Sequence, residues 1–116
     1  MKILITGSEG FLGRNLVRHL KLLDLNYFSI GIKNLERENH FTITSIDDYT
    51  NIKQALELIR PDLVFHLAGS PLGDNNQQMK INFEFSKILV KSLKELNLFE
   101  SKLIAMGTAA EYGLIT

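Results

Sequence analysis

The chain of 116 residues contains no cysteine and no tryptophan, and it has only two prolines. Without cysteine it has no disulfide framework, no thiolate metal site and no cysteine nucleophile. Its 13 basic and 13 acidic residues balance, and no basic stripe marks a nucleic-acid binder. No apolar run is long enough to cross a membrane, and the apolar stretch after Met1 is too short for a signal peptide. We therefore expect a cytoplasmic protein that binds neither nucleic acid nor membrane.

Apolar residues are plentiful, and their spacing changes along the chain. The hydrophobic fraction of 45% is typical of a soluble globular domain. The predicted strands are 2–6, 27–32, 41–46, 63–68 and 102–106, and the predicted helices are 11–25, 49–60 and 77–97. Polar loops are predicted at 33–40 and 69–76. Alternating strands and helices predict an α/β fold with a parallel sheet covered on both faces, in one domain over 1–116.

Three glycines at equal spacing, Gly7, Gly10 and Gly13, follow the first strand in the stretch ITGSEGFLG. Gly7 permits a tight turn, Gly10 lets a pyrophosphate approach the backbone, and Gly13 lets the helix pack close to the sheet. Free amides and the dipole at the helix N-terminus then favour phosphate. This strand, turn and helix predict a dinucleotide site in a Rossmann-like, doubly wound sheet. A glycine-rich turn without a ligand is the alternative.

The GxxGxxG spacing, preceded by Thr6 and containing Phe11 and Leu12, resembles the signature of the extended short-chain dehydrogenase/reductase superfamily. These are NAD(P)-dependent nucleotide-sugar epimerases, dehydratases and reductases. The stretches DLVFHLAG (62–69) and MGTAAEYG (106–113) are similar to later segments of that family, so the resemblance covers the whole chain. It implies hydride transfer with a nicotinamide cofactor, a nucleotide-sugar substrate and a homo-oligomer.

The resemblance also implies roles for the matching residues. One set of residues, in the glycine turn, would lie along the pyrophosphate. A pair after the third strand would contact the adenine edge, and a set at the end of the fourth strand would lie near the ribose and nicotinamide. An asparagine near the start of the last helix stands where the family has one. In chain order these cofactor-binding residues are Gly7, Gly10, Phe11, Leu12, Asp47, Asp48, Leu67, Ala68, Gly69 and Asn82. The implied catalytic residue is Thr108, which would hydrogen-bond the substrate oxygen.

Several of these residues also have a purely structural interpretation. Asp47 and Asp48 are suitable caps for the helix that follows them. Asn82 is equally compatible with an ordinary residue near a helix start. His66 lies on a buried strand, and we predict a core histidine there and not a base or a ligand.

The choice between NADP and NAD depends on the end of the second strand. An acidic residue roughly 20 positions after the glycine turn would accept hydrogen bonds from the ribose hydroxyls and select NAD. Lys33, followed by Asn34, stands there instead. A cation suits the 2′-phosphate of NADP, and Arg37 could add to it. We therefore expect NADP in preference to NAD; the alternative is a solvated loop lysine.

The family's general acid/base is a tyrosine four residues before a lysine. Only Tyr49 and Lys53 have this spacing, and they lie between the third and fourth predicted strands, so we do not expect them to be that pair. Ala109 and Ala110 replace the acid pair of the sugar dehydratases, which favours an epimerase or a reductase. We expect the N-terminal, dinucleotide-binding part of such an enzyme, without its substrate domain and inactive alone. The alternatives are a non-catalytic NAD(P)-binding regulatory module and a doubly wound domain without a nucleotide.

Overall fold

A computed structural model describes residues 1–67 and 75–105, with side chains of the second range described from residue 83 onward. The strands are β1 (Ile3–Thr6), β2 (Phe28–Gly31), β3 (His40–Thr42), β4 (Leu63–His66) and β5 (Lys102–Ala105). The helices are α1 (Phe11–Leu22), α2 (Tyr49–Ile59) and α3 (Asn75–Glu95). In the described part of the chain, no helix is both long and apolar enough to span a bilayer.

The five strands form one parallel sheet in the order β3-β2-β1-β4-β5. The chain builds outward from β1 through β2 to β3, and then crosses to β4 on the other side of β1. The direction of winding therefore reverses between β1 and β4, where open sheets of this kind form a crevice at the carboxyl ends of the strands. The predicted Rossmann-like, doubly wound architecture is confirmed.

Helices cover both faces of the sheet, and each face has its own core. On one face, Leu20 of α1 packs against Ile3 and Ile5 of β1. On the other, Leu4 of β1 joins a larger cluster with α2 and α3, which includes Leu56. Since Ile3, Leu4 and Ile5 point alternately to the two cores, both faces of β1 are buried, and all three residues are apolar.

Two helices end earlier than their apolar spacing predicts. α1 ends at Leu22 and not at residue 25, because Asp24 adopts a left-handed conformation with φ 57°. The N–H groups of Asp24 and Leu25 then bond back to the carbonyls of Lys21 and Leu20, at 3.1 and 2.9 Å. This is the Schellman arrangement, which closes a helix through its last free carbonyls. α3 ends in the same way at Glu95, and not at 97, with Asn97 at φ 60°.

The third strand is shorter than predicted: it covers His40–Thr42 and not 41–46. The backbone N–H and the hydroxyl of Thr44 both donate to the Asp48 carboxylate, at 2.9 and 3.0 Å. This local capture turns the chain toward α2 although the apolar alternation continues. α3 begins at Asn75, two residues before the predicted start, while the part of the predicted loop up to residue 74 lies outside the described residues.

The buried face of α2 offers a direct stability test. Leu56 is fully buried, whereas Leu58 on the same helix is 67% exposed. We expect Leu56→Ala to lower the free energy of unfolding by about 2–5 kcal/mol, because it removes core contacts and leaves a cavity. The matched variant Leu58→Ala should change it by less than about 0.5 kcal/mol. Urea unfolding followed by circular dichroism measures both, and equal losses would contradict the described packing of α2.

Candidate functional site

The turn between β1 and α1 is closed by backbone hydrogen bonds. Gly7 has φ 74°, a left-handed conformation that glycine adopts without strain. Its carbonyl accepts a hydrogen bond from Gly10 N at 3.1 Å. Gly10 is in turn the N-cap of α1, and its carbonyl accepts from Arg14 N at 2.9 Å. Four residues, 7–10, therefore separate the end of β1 from the start of α1.

Gly13 and Gly10 are glycines for different reasons. A Cβ at Gly13 would lie 2.0 Å from the Gly7 carbonyl oxygen and 2.7 Å from Ser8 Cα, so α1 can sit on the turn only without a side chain there. A Cβ at Gly10 would meet the same oxygen at 3.6 Å, which is an ordinary contact. The packing of the protein itself therefore does not require a glycine at position 10. A glycine at this position leaves the backbone without a side chain, as the predicted approach of a pyrophosphate would require.

The first turn of α1 contains backbone amide groups that make no intrahelical hydrogen bond. The first intrahelical bond comes from Arg14, so the N–H groups of Phe11, Leu12 and Gly13 precede it. No acidic residue lies in this turn. The side chains of Phe11 and Leu12 are 79% and 44% exposed. With the positive end of the helix dipole, this is a suitable environment for an anion.

The turn lies at the point where the winding of the sheet reverses. Thr6 and His66, the last residues of β1 and β4, are opposite each other in register. Thr6 Oγ1 and His66 Nδ1 are 2.7 Å apart in a buried hydrogen bond, and the His66 ring meets Phe85 edge-on at 4.9 Å. His66 is therefore a core residue, as predicted. Leu67 follows directly and donates its N–H to the Thr6 carbonyl at 3.0 Å, which places it beside the glycine turn.

A groove of about 500 Å³ runs between α1 and the segment that follows β2. Ser8, Glu9 and Arg14 line one side of it. Leu35, Glu36 and Arg37 line the other. The groove adjoins the glycine turn and carries charges of both signs.

Lys33 and Asn34 are exposed and follow β2 at its carboxyl end, next to the end of β1. The Lys33 carbonyl accepts a hydrogen bond from His40 Nε2 at 2.8 Å. Asn34 Oδ1 accepts one from the Thr42 hydroxyl at 3.4 Å. The Lys33 backbone and the Asn34 side chain are thus tied to β3, while Lys33 itself is exposed.

The two aspartates after β3 are not equivalent. Asp48 is the N-cap of α2 and accepts from Asn51 Nδ2 at 2.7 Å, besides the two hydrogen bonds from Thr44. The backbone hydrogen bond from Thr44, followed by the side-chain bond from Asn51, lowers the pKa of Asp48 from 3.8 to about 2. Asp47 is exposed, and among the described residues its carboxylate accepts only from the Ser45 hydroxyl. The capping alternative therefore describes Asp48, and Asp47 is the more accessible carboxylate.

Part of the predicted site falls beyond what the structure describes. Ala68, Gly69 and Thr108 lie outside the described residues, and Asn82 is placed on α3 without a described side chain. The described predicted residues follow four of the strands. They are the glycine turn after β1, Leu67 after β4, the pair Lys33 and Asn34 after β2, and the pair Asp47 and Asp48 after β3.

The pair Tyr49 and Lys53 joins α2 to α3. The Tyr49 hydroxyl donates to the Glu95 carboxylate, and the Lys53 ammonium lies 3.9 Å from the same carboxylate. The hydrogen bond to Glu95 is the main cause that raises the pKa of Tyr49 above its usual value of 10.0. A tyrosine general base needs its pKa lowered, so this contact supports the interpretation of the pair as structural.

Sequence reasoning missed a hydrogen-bonded network behind the predicted loop 33–40. Arg37 Nη1 donates to the hydroxyl of Ser29, a fully buried residue of β2, at 2.7 Å. Arg37 Nη2 reaches the Tyr27 carbonyl at 3.2 Å. The one available signal was the serine inside the apolar strand YFSIGI, because a buried hydroxyl needs partners.

The two glycines can be separated by substitution. Helix propensity alone would make alanine about 1 kcal/mol better than glycine inside a helix. We nevertheless expect Gly13→Ala to destabilise the protein by about 1–3 kcal/mol, because its Cβ would overlap the Gly7 carbonyl. Gly10→Ala should cost less than about 1 kcal/mol, the scale of an N-cap preference. Thermal unfolding of both variants checks this, and a Gly13→Ala protein as stable as the parent would contradict the close packing.

The Asp48 cap has a consequence in acid. Because its pKa is lower in the folded state, Asp48 contributes stability above the unfolded value of 3.8, and this stability is lost as the pH falls toward about 2. Asp48→Asn keeps a good N-cap but cannot titrate. We expect this variant to lose less stability than the parent between pH 4 and pH 2. The control Asp47→Asn removes a neighbouring carboxylate and leaves the Asp48 hydrogen bonds in place. Melting temperatures of the three proteins across this range test the expectation.

Residues 3–115 match the model of the NAD-dependent epimerase/dehydratase family. The chain is 28% identical over 117 residues to the GDP-6-deoxy-D-talose 4-dehydrogenase of Aggregatibacter actinomycetemcomitans, covering 98% of this chain and 37% of that enzyme. The UDP-glucose 4-epimerase of Thermotoga maritima, solved with UDP-glucose, is similar with a TM-score of 0.70 and 25% identity, over 90% of this chain and 37% of that one.

The UDP-glucose 4-epimerase of Thermus thermophilus, solved in complex with NAD, has the same fold, with a TM-score of 0.70 at 22% identity. That likeness covers 90% of this chain and 36% of the other. The chain thus spans little more than a third of the length of these relatives. By the family model over nearly its whole length, and by the glycine turn at the reversal of the sheet, the chain belongs to the NAD-dependent epimerase/dehydratase family.

Proposed function

We propose that this chain is the dinucleotide-binding part of a nucleotide-sugar epimerase or reductase. The observation that carries the proposal is the glycine turn. It combines an unshielded backbone at Gly10 with free amides at the start of α1, and it sits where the sheet reverses its winding. The matched dehydrogenase and epimerase act on sugars carried by GDP or UDP, which supports a nucleotide sugar as the substrate class.

The pyrophosphate half of the site consists of backbone. Gly7 shapes the turn, Gly10 leaves room for the phosphates, and the amides of Phe11 and Leu12 are free to donate. An anion near a helix N-terminus gains about 0.3–1 kcal/mol from the dipole, and up to about 2 kcal/mol where the geometry is favourable. Because these donors are fixed by the fold, little ordering is needed when the ligand binds.

The adenosine half extends toward β2 and β3. Lys33 and Asn34 follow β2, and among the described residues no ion pair involves Lys33. An ammonium in this place fits the 2′-phosphate of NADP, so we propose NADP as the preferred cofactor within this NAD-dependent family. Asp47 is proposed to contact the adenine edge, and Asp48 supports it by holding the start of α2.

The nicotinamide half extends toward β4 and α3. Leu67 lies beside the glycine turn, and the residues proposed with it are Ala68, Gly69 and Asn82. When bound, the cofactor accepts or donates the hydride at a sugar carbon. The chain's own part is to hold and orient it, while Thr108 is proposed to hydrogen-bond the substrate oxygen.

Nucleotide titration tests the proposal. We expect the protein to bind NADP saturably and more tightly than NAD in isothermal titration calorimetry. Gly10→Ala should weaken both nucleotides about tenfold or more while it keeps the fold, because the new methyl group occupies the approach to the pyrophosphate. Leu22→Ala, at the far end of α1 and 78% exposed in the parent, is the matched control and should bind normally.

Two results would count against this. Absence of saturable binding of either nucleotide would remove the dinucleotide function altogether. Equal or tighter binding of NAD would leave that function in place and reject the preference for NADP.

A further inference from the structure

We infer that His40 is a positioning residue for cofactor selection: it fixes the backbone at Lys33 so that the lysine ammonium meets the 2′-phosphate of NADP. The inference rests on the proposed dinucleotide function and assigns a role within it to a residue that would not itself touch the cofactor. It depends on the hydrogen bonds that connect Lys33, His40, Ser29 and Arg37, which we call the β2–β3 network.

The His40 ring bridges the end of β2 and its middle. Its Nε2 lies 2.8 Å from the Lys33 carbonyl oxygen. Because a carbonyl oxygen can only accept, Nε2 carries the hydrogen and donates it. In the neutral ring Nδ1 is then an acceptor, and the Ser29 hydroxyl 2.7 Å away donates to it. The two ring nitrogens therefore have different and complementary partners.

The other end of the network is anchored on the same strand. Ser29 Oγ accepts from Arg37 Nη1 at 2.7 Å, and the Arg37 guanidinium lies over the Tyr27 ring at 4.0 Å. Ser29 is fully buried, so its hydroxyl must keep these partners or lose the free energy of a buried hydrogen bond. The His40 ring is thus tied, through Ser29, to a buried residue of β2.

This arrangement fixes the point on the backbone from which the Lys33 side chain extends. Gly31, the last residue of β2, accepts from Ile43 N at 2.9 Å, and two residues later the Lys33 carbonyl is held by His40. The Lys33 side chain is a flexible four-carbon stem, so its reach depends on the place of its backbone. Holding that backbone before the ligand arrives reduces the ordering cost of a lysine–phosphate contact. NAD has no 2′-phosphate, so the positioned lysine does not increase its affinity.

Two substitutions at position 40 separate this role from simple packing. The amide of His40→Asn can reach the place of Nδ1 and keep Ser29 bonded, but it cannot reach the Lys33 carbonyl. The longer amide of His40→Gln can take the place of Nε2 and donate to that carbonyl. His19→Leu removes a different, exposed histidine on α1 and is the control for loss of an imidazole.

The experiment measures the dissociation constants of NADP and NAD by calorimetry, at one pH and one salt concentration. It compares the parent, these three variants, Lys33→Ala, and the double variant that combines Lys33→Ala with His40→Asn. We expect Lys33→Ala to weaken NADP about tenfold or more, the scale of one lost charge-assisted hydrogen bond. His40→Asn should weaken NADP at least about threefold and NAD less than about twofold, since only NADP uses the positioned lysine. His40→Gln should recover most of the loss.

The double variant is decisive. If His40 acts through Lys33, adding His40→Asn to Lys33→Ala causes no further loss of NADP affinity. Equal weakening of both nucleotides by His40→Asn, or additive losses in the double variant, would overturn the inference and leave the dinucleotide function intact. A parent protein that binds neither nucleotide would reject both. Should His40→Asn fail to fold, Ser29→Ala breaks the same network from its other end and must show the same selective loss of NADP.

Discussion

The close contact between α1 and the turn that precedes it is the constraint on which the site depends. Gly13 lies against the Gly7 carbonyl with no space for a single methyl group. This contact lets α1 pack directly on the turn, so that only residues 7–10 separate the carboxyl end of β1 from the start of the helix. A longer or looser connection would move the first amides of α1 away from the crevice between β1 and β4. The backbone at Gly10 would then no longer lie beside that crevice.

Short polar contacts organise the rest of that edge. Asp48 holds Thr44 and caps α2, and the buried Ser29 holds both Arg37 and His40. In each case a polar side chain of a kind that often binds ligands instead makes hydrogen bonds that hold a neighbouring segment in place. The residues that remain free toward solvent, such as Lys33 and Asp47, are positioned by these neighbours. Exposed polar side chains and the side chains that fix their segments therefore alternate along the same short stretches of chain.

Apolar spacing and the glycine pattern were enough to predict the order of the strands and helices, the parallel sheet and the turn at Gly10. They could not predict where β3 ends, because Thr44 is captured by a carboxylate four residues later, and alternation carries no information about that bond. They also predicted too long an α1. The helix ends because Asp24 adopts a left-handed conformation, although leucines continue the apolar spacing beyond that point. The loop after β2 was predicted as polar and solvated, and its network is invisible without the spatial neighbourhood of Ser29. All the cofactor-binding and catalytic roles stay predictions, and Ala68, Gly69 and Thr108 lie outside the described residues.

The bond between Thr6 and His66 joins residues 60 positions apart in sequence. β1, α1 and β2 are neighbours along the chain and can associate through local contacts, so the glycine turn can form early during folding. The other wall of the crevice arrives only when β4 docks against β1, after β3 and α2 have been made. A chain folded only as far as β3 would therefore have the glycine turn without its second wall, and the crevice between β1 and β4 would be complete only once β4 had joined the sheet.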